Sequence, residues 1–287
     1  MLRYQFMRFP EGKPKAFTMS YDDGCLDDLR FSDIISPYGL KCTFNLNALT
    51  LGRPYEHTVE DVEKYIYARG HEVALHGTLH RAMGRIRPIE MIDEVLSCRR
   101  ELEARFGRII RGMAYPDSGI RSFTPESSYA DVKAVLSACG ITYARTLGED
   151  NRRYDLPSDF HAWMPTAHHT NPELLSMLDE FLGMDYEKLY ISSRRERLFF
   201  LWGHTFEFSG AGNWSLAEEI AARVGAAKDV YLATNTEIYE YVTAYTSLVY
   251  SADNTKVYNP TLIPVWFERE GEIYRVDPGK TVENLKV

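Results

Sequence analysis

The chain alternates short apolar runs with amphipathic segments over most of its length, and that alternation limits the folds open to it. Aliphatic, β-branched or aromatic runs occur near 16–20, 41–46, 71–75, 110–115, 141–146, 197–202 and 230–233. Each is too short for a helix and is bounded by polar or turn-forming residues, the pattern of a buried strand. The segments between them carry helical periodicity and end signals. Thr58 and Asp61 stand in capping-box spacing, Ile89, Ile92, Leu96 and Leu102 recur along 88–106 before Gly107, and 129–138 stops at Gly140. Further helices are predicted over 214–227 and 236–245. Parallel strands need crossover connections, which helices supply, so the pattern predicts an α/β fold. We expect a distorted parallel (β/α)7-type barrel rather than an open sheet.

Two regions break the alternation. Residues 147–196 are too long for one crossover and read as an insertion. It holds a polar loop from Gly148 to Asp155, then His161, His168 and His169, and an amphipathic helix near 172–182. From about 247 short alternating runs take over: 247–251, 256–258, 262–267 and 272–276, punctuated by Asn259-Pro260 and Asp277-Pro278-Gly279. The expected organisation is a catalytic barrel over 1–246 that carries the insertion, and a small β appendage over 247–287.

Composition narrows the partners. The net charge is −8 with no basic block, which argues against nucleic acid or an anionic membrane surface. No apolar stretch approaches a membrane span, and Met1 to Arg8 lacks the apolar core of a signal peptide. Cys25, Cys42, Cys98 and Cys139 have no CxxC spacing and read as reduced thiols. The expectation is a cytoplasmic protein without nucleic-acid or membrane partners, with a homo-oligomer left open.

The polar residues concentrate where the predicted strands end. Asp22 and Asp23 follow the first strand, His76 and His80 the third, Tyr115 and Asp117 the fourth, Arg145 the fifth and His204 the sixth. In a β/α barrel those ends share one rim, where active sites are built. Taken singly, Asp22-Asp23-Gly24 is a turn and the two histidines are loop residues. Together they supply three metal ligands with a carboxylate left over, the inventory of a mononuclear hydrolase.

At these residues the chain resembles the polysaccharide deacetylases, the NodB-homology group related to carbohydrate esterase family 4. The motif T/S-F/Y-D-D-G stands as Ser20 to Gly24. The motif G-H-E-x-x-x-H-T/S-x-x-H resembles Gly70 to His80, with the hydroxyl residue at Thr78 instead of 77, and Gly39 to Phe44 resembles the family's G-x-x-A-T-F strand. The resemblance implies that Asp23, His76 and His80 bind one divalent ion, zinc before cobalt or nickel, and that Asp22 is the base for a metal-activated water. It implies an acetylated saccharide as partner and removal of an N- or O-acetyl group as the reaction.

The later motifs diverge. Ala114-Tyr115-Pro116-Asp117 stands for R-x-P-Y/F, without the arginine that orients the base and without the aromatic whose backbone N–H serves the oxyanion. Arg145 is the first candidate to replace the guanidinium, Arg111 the second, and the Asp117 backbone is indifferent to its side chain. Leu201 to His204 resembles L-x-H with one extra residue, making His204 the acid. The family's aspartate partner for that histidine has no aligned counterpart, and Asp150, Asp155, Asp159 and Glu207 are the candidates. His168 and His169 are read as structural, and most of Trp202, Phe206, Phe208 and Trp214 as core instead of sugar-stacking. Two rival functions are a same-fold hydrolase of a non-sugar amide or ureide, and a catalytically inactive carbohydrate-binding relative.

Overall fold

The computed structural model describes residues 4–48, 56–148 and 154–286. The first strand, β1 (Gln5–Arg8), stands outside the main sheet. That sheet holds β2 (Lys15–Asp22), β3 (Thr43–Leu46), β4 (Glu72–Leu75), β5 (Gly112–Ala114), β6 (Tyr143–Arg145), β7 (Ala167–His168), β8 (Arg197–Gly203) and β9 (Val230–Leu232). All its pairings are parallel, in the order β6-β5-β4-β3-β2-β8-β7 with β9 on β2. One edge of β2 takes β9 at Lys15–Phe17 and β3 at Ser20–Asp22, while its other edge follows β8 from Lys15 to Tyr21. At the far side Arg145 bridges to Trp163, just ahead of β7, which brings the two ends of the sheet toward each other. The result is the distorted β/α barrel that the alternation predicts.

Period-two alternation sorts the side chains. Phe17, Met19 and Tyr21 of β2 pack outward with Phe31, Ile35, Phe199 and Leu201, under the helices. On the opposite face Ala16, Leu198, Phe200, Tyr143 and Trp163 fill a second apolar cluster. Further along β2 the same face carries Ser20 and Asp22, so the barrel interior changes from apolar to polar toward the C-terminal ends of the strands. The helices Tyr129–Ala138, Leu174–Leu182, Trp214–Gly225 and Asn235–Thr246 lie where periodicity places them. Within the main sheet one strand was not foreseen. β7, inside the insertion, has only Ala167 and His168 in strand pairing, too short to leave a periodic signal.

The C-terminal residues form β10 (Val249–Tyr250), β11 (Val257–Tyr258), β12 (Val265–Arg269), β13 (Glu272–Val276) and β14 (Thr281–Val282). β10, β11 and β14 make one antiparallel sheet, and β12 pairs with both β13 and β1 in another. The start of the chain is thus stitched to residues 265–269. The buried Arg8 guanidinium donates to Glu268 Oε2 at 2.5 Å and to the Arg194 carbonyl at 2.7 Å. Tyr241 donates to the Arg8 carbonyl at 2.6 Å and accepts the Trp266 N–H at 2.9 Å, tying helix Asn235–Thr246 to both strands. Among the described residues no helix is long and apolar enough to cross a membrane.

Removing one partner of a buried pair strands the other charge. Glu268→Ala should therefore lower unfolding stability by about 3–5 kcal/mol in chemical denaturation. A loss below about 1 kcal/mol would mean that the Arg8 contact is worth no more than a surface ion pair.

Candidate metal and acid–base site

The turn after β2 separates two adjacent carboxylates. Asp22 is its last residue and is buried. Asp23 has φ +77°, a left-handed conformation that swings its side chain away from that of Asp22 toward the rim. Asp22 Oδ1 accepts the Asn45 amide at 2.8 Å, and Oδ2 accepts from Arg145 Nη2. Arg145 is fully buried, and its guanidinium carbon lies 4.2 Å from the centre of the Trp202 ring. Burial works to raise the Asp22 pKa, but Arg145, His76, His204 and the Asn45 amide outweigh it and hold the carboxyl below its ordinary range.

His76 and His80 flank a loop that Glu94 pins from below. This buried carboxylate accepts the N–H groups of Thr78 at 2.9 Å and Leu79 at 3.0 Å, and Arg81 Nε at 2.8 Å. Gly77, at φ +78°, lets Glu94 approach, since a Cβ there would stand 2.8 Å from its Oε2. His76 Nδ1 lies 3.0 Å from the Ala114 carbonyl. A carbonyl only accepts, so Nδ1 carries the hydrogen and Nε2 keeps its lone pair. That nitrogen and His80 Nε2 each lie 3.5 Å from Asp23 Oδ1. Two imidazole nitrogens and a carboxylate oxygen suit a borderline ion such as zinc, and the bond from His76 to Ala114 is the outer-shell support such ligands carry.

His204 follows β8 on the face that carries Trp202. The spacing from Trp202 to His204 is that of L-x-H, with tryptophan at the apolar position and no extra residue. His204 Nε2 lies 3.9 Å from Asp23 Oδ2, and Nδ1 lies 3.4 Å from Glu207 Oε2. The same oxygen accepts the His204 N–H at 3.0 Å and faces His168 Nε2 at 3.3 Å and His169 Nε2 at 3.4 Å. Burial opposes ionisation of Glu207, yet His204 and His168 outweigh it and bring its pKa down to about 2. Burial also works to lower the His204 pKa, but Glu207, Asp22 and Asp23 raise it overall. Of the four candidates for the histidine's partner, Glu207 is the one at hand. Asp155 pairs with Arg195 and Arg197, Asp159 with Lys133, and Asp150 lies outside the described residues.

His168, His204 and Glu207 are close enough to suggest a second metal site. The hydrogen bonds speak against it. The Thr170 N–H donates to His168 Nδ1 at 3.2 Å, so His168 Nε2 carries the hydrogen that points to Glu207. His169 has its pKa lowered to about 3 by burial, with His168 adding to the effect, and is neutral. Its ring occupies space only glycine leaves open: a Cβ on Gly203 would stand 2.0 Å from its Nδ1.

The remaining expected residues divide. Arg145 meets Asp22, whereas Arg111 is exposed and donates to the Gly140 carbonyl. Tyr115 is buried with both its hydrogens engaged, the hydroxyl to the His161 carbonyl at 2.6 Å and the N–H to the Arg145 carbonyl at 3.0 Å. Asp117 is exposed at φ +50°, and its N–H has no acceptor among the described residues. Tyr115 and Asp117, with Ser118, Arg121 and Leu147, line the same 380 Å³ cavity as Asp22, Asp23, His76, His80 and His204. Phe208 and Trp214 are core, while Phe206 is exposed beside His204, ring centres 5.1 Å apart. The sequence reading missed Asn45 and Glu94. Each had a signal: Asn45 interrupts an apolar strand, and Glu94 sits beside Met91, Val95 and Cys98 on a buried helical face.

No curated protein sequence matches the chain. Among solved structures, one from Mycobacterium smegmatis assigned as a polysaccharide deacetylase shares 18% identity, with a TM-score of 0.58, over 84% of this chain and 94% of that one. The Streptococcus pyogenes deacetylase PplD, in complex with acetate, shares 17% identity at a TM-score of 0.40, over 45% of this chain and 55% of that one, so the chain spans about half of its length. A family 4 carbohydrate esterase pseudoenzyme of Bacillus anthracis shares 16% identity at a TM-score of 0.47, over 82% and 68%. Likeness at the level of the M. smegmatis structure is one of fold. The polysaccharide deacetylase family model matches residues 10–144, the part that carries Asp22, Asp23, His76 and His80. These residues, 10–144, belong to the polysaccharide deacetylase family.

Proposed function

We propose that this chain is a metal-dependent hydrolase that removes N- or O-linked acetyl groups from a carbohydrate. One observation carries the reading: Asp23, His76 and His80 converge on the rim with a buried, ionised Asp22 on one side and His204 on the other. The carbohydrate as acyl carrier rests on the family membership of residues 10–144.

Asp23, His76 and His80 would hold the ion. When bound, a zinc-like ion supplies Lewis acidity that brings the pKa of water toward ~7. Asp22 takes the proton of the attacking water. Its low pKa makes it a weak base for free water but adequate for an acidified one, and Oδ2 keeps an unshared lone pair beside Arg145. Arg145 takes the place of the family's motif arginine: it holds Asp22 ionised and fixes its orientation from a neighbouring strand. The Asp117 N–H is the donor for the developing oxyanion. His204, with Nδ1 held toward Glu207, gives the proton at Nε2 to the departing nitrogen or oxygen. Glu207 beside Nδ1 favours the protonated form of His204.

Purified protein should carry about one divalent ion per chain. Elemental analysis should find it lost in His80→Ala and weakened in Asp23→Asn, and full occupancy in His80→Ala would remove the proposed site. Asp22→Asn should keep the ion while kcat on an acetylated oligosaccharide falls by about 10²–10⁴-fold. Loss of metal in that variant, or normal turnover, would end the division of labour between the two carboxylates. His204→Ala should also keep the ion and lose turnover, more on amides than on activated esters, whose leaving groups need no proton. Equal losses on both would take the acid role from His204.

A further inference from the structure

A second polar network lies just behind the rim, and neither the metal nor the acid–base assignment uses it. Thr205, the residue after His204, is fully buried. Its hydroxyl donates to Asp28 Oδ1 at 2.5 Å and lies 3.0 Å from Cys25 Sγ. Either atom can be the donor in that second contact. Asp28 sits in the first turn of helix Asp27–Ile35 and is completely buried. Its Oδ2 lies 3.3 Å from His57 Nε2, which in turn donates to the Cys25 carbonyl at 2.7 Å. A bridge between Cys25 and Glu56 holds the same segment.

The placement of these groups gives the network its meaning. β2 and β8 pair for the last time at Tyr21 and Gly203. Beyond that point the chains part, one into the turn that carries Asp23, the other into the loop that carries His204. The contacts of Thr205 with Cys25 and Asp28 rejoin them. Burial pushes the Asp28 carboxyl well above its ordinary range, and its Oδ2 has no hydrogen-bond partner among the described residues, so the Thr205 hydroxyl is the side-chain hydrogen bond that Asp28 keeps, and losing it would leave both buried oxygens unsatisfied.

We propose that Asp28, acting through the Thr205 hydroxyl, is a positioning residue for His204. It sets the span between His204 Nε2 and Asp23 Oδ2, 3.9 Å in this structure, and so places the acid relative to the metal ligands. The kinetic meaning of that span rests on the deacetylase reading; the span itself does not. Neither Asp28 nor Thr205 touches substrate.

The test compares Thr205→Val, which keeps the shape and removes the hydroxyl, with Thr205→Ser, which keeps the hydroxyl. Each is measured on an acetamido sugar and on p-nitrophenyl acetate, with metal content alongside. A group displaced by about 1 Å costs up to about 100-fold. Thr205→Val should therefore lose about tenfold or more on the amide relative to the aryl ester, with metal retained, and Thr205→Ser should restore the wild-type ratio. A general folding defect would depress both substrates alike. If Thr205→Val does not fold, the Asp28→Asn/Thr205→Val double variant, which leaves no unpaired carboxylate, should give the same ratio. A crystal structure of the folded variant should show His204 displaced from Asp23. An unchanged ratio, or His204 still at 3.9 Å, overturns the inference. Wild-type protein inert on both substrates, with His204 displaced in the variant, would remove the deacetylase reading and leave the positioning role standing.

Discussion

The ion pair between Asp22 and Arg145 is the interaction on which the site depends. Both residues are almost completely removed from solvent. Taking two charges out of water costs several kcal/mol per ion, recovered only when geometry and supporting hydrogen bonds are good. The support comes from elements far apart in sequence: the Asn45 amide on β3, the Trp202 ring on β8 and the bridge that fixes Arg145 against Trp163. The pair therefore forms only when the curled sheet is in register. Such a pair adds little net stability. It yields a carboxylate that stays ionised with one oxygen fixed toward the rim.

Three of the carboxylates on this rim have surroundings that give each a different character. Asp22 is balanced by a guanidinium. Asp23 is partly exposed and faces the nitrogen atoms of His76 and His80. Glu207 is held ionised by a backbone N–H and by imidazoles drawn toward one of its oxygens. Backbone strain follows the same map. Asp23, His80 and Asp117, none of them glycine, have φ of +77°, +58° and +50°. Such conformations cost about 1–3 kcal/mol each and persist where the surroundings over-determine them. Glu94 beneath the His76–His80 loop is one visible source of that constraint.

The residues that would hold the metal were legible because their signals are local. Asp22-Asp23-Gly24 and the His76–His80 spacing are short motifs at strand ends, and a barrel gathers strand ends whatever the details of its loops. The partner of Asp22 was legible only as a candidate, since an arginine on a neighbouring strand leaves no spacing to recognise. The partner of His204 was harder. Glu207 is separated from it by only two residues, yet it stood level with three aspartates until helix Phe206–Ala211 turned its carboxylate back onto the histidine. His168 and His169 read as ordinary loop residues because β7 is too short to show in the sequence.

By itself the sequence determined the alternation of strands and helices, the C-terminal change to short strands, and the residue types available at each strand end. These follow from hydrophobic periodicity, caps and turn chemistry, which act over a few residues. Tertiary structure alone decided which polar residue meets which. It joined Arg145 to Asp22, gathered His168, His169 and His204 around Glu207, tied Thr205 to Asp28, and paired β1 with β12 across nearly the full length of the chain. Those choices depend on sheet register and on the cost of leaving a buried charge or hydrogen-bonding group without a partner, and that cost is set only when distant segments come together.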